Sequence, residues 1–210
     1  MPYKPGEREY RALGSFDTAA EGEQGDRLIV RGVPIVFNRP TVLCEIDGVE
    51  YKEVIAAGAL EGCDMSDFIF NRNHGFNDGT VYARTRNKSL RYAISPTELS
   101  IEADLDSEDE RHRNLHRDIV KGRVDKMSFS FIAREVSYDR ETHTRTVLKI
   151  KKLFDVSAVD FPAYNDTSLT TARDFFSEEH AKEFKALEQS RIRRRRLALA
   201  IKTHEITKGV

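Results

Sequence analysis

For most of its length the chain alternates apolar and polar positions with the two-residue period of a β-strand. Leu99-Ser100-Ile101-Glu102-Ala103-Asp104-Leu105-Asp106 is the clearest case, a half-buried strand with acidic residues toward water. Leu28 to Phe37 is rich in β-branched residues, and Gly32 and Pro34 within it predict a bulge or an edge position. Val42 to Ile46 and Val49 to Val54 flank Asp47-Gly48, the turn chemistry of a type I′ hairpin. Ala56 to Leu60 has room for one helical turn. Phe68-Ile69-Phe70 is a short strand, and Val81 to Thr85 with Leu90 to Ile94 reads as another hairpin. Ser107-Glu108-Asp109-Glu110 fits a capping box, so a helix is expected from there to about Lys121, with Leu115 and Ile119 on one face and Gly122 as its stop. Val124 to Val136 and Val147 to Val159 are the last strand runs.

Both ends depart from this pattern. Residues 1–26 are polar and rich in Gly and Glu, which reads as a flexible N-terminal arm with at most a short ordered piece. Beyond Thr171 the strand character disappears in favour of Glu, Lys, Arg, Ala and Leu. Residues 173–210 are therefore a charged helical C-terminal tail, and residues 27–172 are the expected folded domain, β-rich α+β with one internal helix.

Composition narrows the function. The 34 basic and 35 acidic residues nearly cancel, which does not favour a globally basic nucleic-acid binder. Locally, the run Arg191 to Arg196 is as consistent with an acidic partner as with a solvated helix face. Cys44 and Cys63 form no CxxC or zinc spacing and read as two reduced thiols. No apolar run is long enough to span a membrane and no signal peptide is evident, so a cytoplasmic protein is expected. Phosphate-binding glycine loops are absent.

Nucleophilic catalysis needs a hydroxyl, a base within hydrogen-bond reach and a group that orients the base. His74 follows an apolar strand, with Gly75 beside it, and is the best base among six histidines; a plain loop histidine is the competing reading. Ser128 and Ser130 share the face opposite Met127, Phe129 and Phe131, a face that is otherwise expected to be wet. Asp155 interrupts an apolar strand and is costly to bury unpaired, so it is the candidate orienter, with Asp160 as the alternative. His112 and His116 lie one turn apart on the predicted helix without an HExxH pattern and are expected on an exposed face. His143, His180 and His204 are expected in solvent.

These residues also occur in a recognisable order. Gly32-Val33-Pro34-Ile35-Val36-Phe37 is followed by Glu53-Val54-Ile55 with Gly58-Ala59-Leu60, then Asn73-His74. The segment from Asp118 through Ser128 to Phe131 comes next, and Leu153-Phe154-Asp155-Val156-Ser157-Ala158-Val159-Asp160-Phe161-Pro162-Ala163-Tyr164 closes the series. The set, spanning about residues 28–170, resembles the prohead (head-maturation) serine proteases of tailed bacteriophages. The resemblance implies Ser128 as nucleophile, His74 as general base and Asp155 as third member. The family usually has Gly where Ser130 stands, and commonly Glu where Asp155 stands. It further implies a mostly antiparallel closed β-barrel with flanking helices, like that of the herpesvirus assembly proteases. The implied partners are the major capsid protein precursor, the scaffold and the chain itself by self-cleavage. The implied place is the host bacterial cytoplasm, inside assembling proheads. No cofactor or metal is implied, and neither a membrane nor nucleic acid is an expected partner. Two other classes compete: a non-catalytic capsid-assembly protein on the same fold, and an accessory protein that binds nucleic acid through Arg191 to Arg196.

Overall fold

The computed structural model describes residues 6–16, 27–76, 79–160 and 170–208. Ten strands and two α-helices lie in them: β1 (Arg8–Phe16), β2 (Leu28–Val36), β3 (Thr41–Ile46), β4 (Val49–Ile55), β5 (Ile69–Arg72), β6 (Val81–Arg84), β7 (Leu90–Ile94), β8 (Glu98–Leu105), α1 (Glu110–Val120), β9 (Lys126–Asp139), β10 (Thr144–Val159) and α2 (Thr170–Lys208). The β-rich class and the two flanking helices agree with the sequence reading.

The sheet is not a closed barrel. Its strands run β3-β4-β10-β9-β1-β2-β8-β7, with β5 and β6 branching from β10, and β3 and β7 remain edges. The branch point is β10, the longest strand. One side pairs antiparallel with β9 along almost its whole length. The other side is divided between two parallel partners, β4 at Thr144 to Val147 and β5 at Asp155 to Ala158. The remaining pairings are antiparallel, so the sheet is mixed but mostly antiparallel among the described residues.

Local chemistry explains where expectation and structure meet. Asp47 and Gly48 both have positive φ, 51° and 79°, as the β3–β4 type I′ turn requires. The β2 register shifts between Gly32 and Ile35, the expected bulge, although β2 lies between β1 and β8 rather than at an edge. Helix α1 starts two residues later than the capping box would have it: Asp109, not Ser107, is the cap, and its carboxylate accepts the Arg111 N–H. Gly122, at φ 65°, ends the helix as expected. Residues 57–62 are turns rather than a helix. The expected β6–β7 hairpin does not form, because β6 pairs with β5 and β7 with β8.

The largest departure is at the N-terminus. Residues 8–16, read as part of a flexible arm, form β1, which is inserted between β9 and β2. Gly14 lets the two backbones approach: a Cβ there would lie 2.3 Å from the Val33 carbonyl oxygen. Residues 1–5 and 17–26 of the arm fall outside the described residues. The C-terminal segment is one helix, and its first turns are docked rather than free. Phe176 is buried with Leu43 and Tyr51, and Phe175 packs beside it.

The main core joins Met127, Phe129 and Phe131 of β9 to Phe68 and Phe70, Val156 and Ala158, and Leu115 and Ile119 of α1. His112 and His116 are on this inner side of α1 and buried, not exposed. His112 accepts the Asp106 N–H at Nδ1 (3.0 Å) and its ring lies 4.8 Å from that of Tyr82. His143 and His180 are only partly exposed, each beside Tyr51.

Candidate active site

The β9–β10 register builds one face of the site. Ser128 lies opposite Ser157, and Ser130 opposite Asp155. Because Met127, Phe129 and Phe131 enter the core, alternation turns Ser128 and Ser130 to the other face. That face is not wet: Ser128, Ser130, Asp155 and Ser157 are all fully buried. The parallel pairing of β10 with β5 sets Asn71 beside Ser157.

His74 comes from the turn that follows β5. Asn73, His74 and Gly75 have φ of 48°, 57° and 74°, three successive left-handed residues. For Asn and His this conformation costs roughly 1–2 kcal/mol each, so it persists only where neighbours hold it. Asp160 supplies part of that hold. Its Oδ2 accepts Asn73 Nδ2 (2.8 Å) and its backbone N–H donates to Asn73 Oδ1 (3.2 Å). Arg72 Nη2 donates to Asp160 Oδ1 at 2.6 Å. Ser157 Oγ accepts the backbone N–H of His74 at 3.2 Å.

The turn directs the imidazole between the two other sequence candidates. His74 Nε2 is 2.7 Å from Ser128 Oγ, and Nδ1 is 2.6 Å from Asp155 Oδ1. In the tautomer this implies, Nδ1–H donates to the carboxylate and Nε2 accepts from the hydroxyl. Ser157 Oγ donates to the same Asp155 oxygen at 2.8 Å and touches Asn71 Oδ1. Burial pushes the Asp155 carboxyl pKa up. The His74 contact and the Ser130 and Ser157 hydroxyls more than offset it, leaving the group below its ordinary value. The rings of Tyr10 and Phe76 flank the imidazole at 4.7 and 6.2 Å.

All three sequence candidates therefore meet. The alternative orienter, Asp160, does not reach the imidazole but secures the turn that carries it. Ser157, Asn71, Tyr10 and Arg8 were not singled out. Ser157 was legible in principle, since it sits two residues from Asp155 and shares its face. Among the described residues no cluster of His, Cys, Asp and Glu is arranged to hold a metal ion.

The family model of the caudovirus prohead serine proteases matches residues 15–183. The chain belongs to that family. No curated protein and no solved structure matches it. The matched span takes in β2 through β10, with Ser128, His74 and Asp155, and extends into the docked turns of α2. A prohead serine protease is a hydrolase of phage head maturation, which agrees with the resemblance drawn from the sequence. Among the described residues no helix is long and apolar enough to cross a membrane.

Proposed function

We propose that this prohead protease is a serine endopeptidase acting on the capsid and scaffold precursors of the assembling head, and on itself, inside the host cell. The observation that carries the reading is the position of His74, within hydrogen-bond distance of both Ser128 and Asp155. Ser128 Oγ attacks a peptide carbonyl while His74 Nε2 takes its proton. Asp155 holds Nδ1–H and stabilises the imidazolium that forms. The proton then passes to the leaving amine, and water hydrolyses the acyl-enzyme by the same route.

A second reading, a non-catalytic assembly protein, draws on one observation: Ser128 has no exposed surface. A carbonyl reaches it only once covering groups move. An intact-mass time course on the concentrated chain, with capsid precursor added and Ser128→Ala alongside, separates the readings. Defined fragments of chain or precursor from the parent and none from the variant are expected. Identical fragments from both would remove Ser128 as nucleophile. Failure of the parent to cleave the precursor or to react with a fluorophosphonate would favour the assembly protein.

A further inference from the structure

The two oxygens of Asp155 have different partners. Oδ1 receives His74 and Ser157, whereas Oδ2 is met by Arg8 Nη2 and Ser130 Oγ. Arg8 opens β1, and it precedes the span matched by the family model. Its guanidinium is fixed on several sides. Nε and Nη2 donate to Ser130 Oγ at 3.0 and 2.7 Å, and the rings of Phe154 and Tyr10 lie 4.6 and 5.3 Å from its central carbon.

A base must be neutral before it takes a proton, so the resting imidazole provides no counter-charge to Asp155. A carboxylate with 0% exposure is costly to leave uncompensated. Arg11 and Arg145 cannot serve, because Glu9 and Glu53 engage them elsewhere. We infer that Arg8 is a positioning residue for the reaction: it is the resting-state counter-ion of Asp155, leaving the imidazole free to be formed as a cation only when Ser128 attacks. The inference rests on the triad proposed above. Without Arg8, Oδ2 loses its cationic partner, and the buried carboxylate that holds Nδ1–H keeps only hydroxyl and imidazole donors.

The groups facing His74 make this electrostatic role testable. Asp155 and Ser157 face it from β10, Ser128 from β9 and Tyr10 from β1, with Arg8 one carboxylate away; Arg72 and Asp160 beside its turn neutralise one another. The readout is the rate at which a fluorophosphonate modifies the full-length chain, followed by intact mass from about pH 6 to 9. Arg8→Met is expected to slow modification about 10–100-fold near pH 6.5, on the scale of losing a partner that orients a histidine ligand in a metal site. The deficit should shrink toward the alkaline end of the range, where a neutral base no longer depends on the charge balance around Asp155. Arg8→Lys should recover part of the rate, since it keeps charge but not the planar fork. Because Arg8 is 38% exposed, added guanidinium should recover part of it in Arg8→Ala. Melting curves identify any variant that fails to fold, in which case Arg8→Lys and the guanidinium titration of Arg8→Ala carry the test. Arg8→Met reacting as fast as the parent, while Ser128→Ala does not react, overturns the inference and spares the triad. A loss equal at every pH, restored by neither Lys nor guanidinium, also overturns it. Unchanged modification of Ser128→Ala overturns the triad itself.

Discussion

Neutralising Glu53 is expected to cost more stability than any surface charge change in the molecule. Glu9, Arg11, Glu53 and Arg145 are buried together, two anions against two cations. Arg11 Nη2 donates to Glu53 Oε2 at 2.9 Å, and Arg11 Nε and Arg145 Nη1 complete that carboxylate. Glu9 bridges the same two guanidiniums, with Arg145 Nη1 and Nη2 each at 2.8 Å and Arg11 Nη2 at 2.5 Å. Glu53→Gln keeps the shape but leaves two buried guanidiniums on one carboxylate. Breaking a buried pair from one side costs about 3–5 kcal/mol, against ~0–1 for an exposed pair. At roughly 2–4 °C per kcal/mol for a chain of this size, the melting temperature should fall by about 6–20 °C. Glu102→Gln is the control, because it removes the same charge from the exposed partners Arg31 and Arg91. The double change Glu53→Met/Arg145→Met leaves Glu9 and Arg11 as a neutral pair and should be less destabilised than Glu53→Gln alone. Chemical denaturation with linear extrapolation measures all three. Glu53→Gln costing under about 1 kcal/mol, no more than Glu102→Gln, would refute the reasoning.

Asp155→Asn should reduce fluorophosphonate modification by up to about 10⁴-fold with the fold retained, the scale set by loss of a triad carboxylate; Asp160→Asn, which only loosens the Asn73 turn, should cost much less. Burial lowers the His112 pKa, so the unfolded chain takes up that proton first: melting temperature should be level above about pH 7 and begin to fall below ~6.5. For Glu9, burial raises the pKa but Arg11 and Arg145 more than offset it, so its contribution is complete above about pH 4.5 and is lost as pH falls through the depressed value. A melting temperature unchanged from pH 7 down to about pH 2 would contradict both signs. Burial pushes the Cys63 thiol up from 9.0 to about 11, so iodoacetamide near neutral pH should react with it about a hundredfold more slowly than with a free thiol.

Features with a local cause were readable in the sequence. The β3–β4 turn needs two positive φ values, and Asp47-Gly48 supplies them. Alternation across Met127 to Phe131 separated the serines from the core before any strand order was known. His74, the pair Ser128 and Ser130, and Asp155 stood out as candidates because each is chemically out of place in its segment, and the family resemblance chose Ser128 over Ser130. What escaped depends on long-range pairing. The polarity of Arg8, Glu9 and Arg11 reads as solvated chain, yet Glu9 and Arg11 become buriable because Glu53 and Arg145 arrive from β4 and β10. The His112 and His116 face seemed exposed because nothing local announces Tyr82 or the Asp106 N–H. Closure of the sheet likewise could not be read, since it depends on long-range pairing that leaves β3 and β7 as edges.

The core and the candidate site are two faces of one register. A one-residue slip of β9 against β10 would turn Ser128 toward the core and bring Met127 or Phe129 to face His74. Burial of Met127, Phe129 and Phe131 therefore secures the geometry of Ser128 as well as the stability of the sheet. The same logic applies to β1. Glu9 and Arg11 enter the buried ion cluster, so alternation presents Arg8 and Tyr10 to Asp155 and His74. His74 alone comes from a turn, and it is the residue held in a costly backbone conformation. Asp160 and Ser157, both at the end of β10, tie that turn to the strand that carries Asp155. Because β9 pairs with β10 along this same register, His74, Asp155 and Ser128 are held as one unit at the 2.7 Å His74–Ser128 contact.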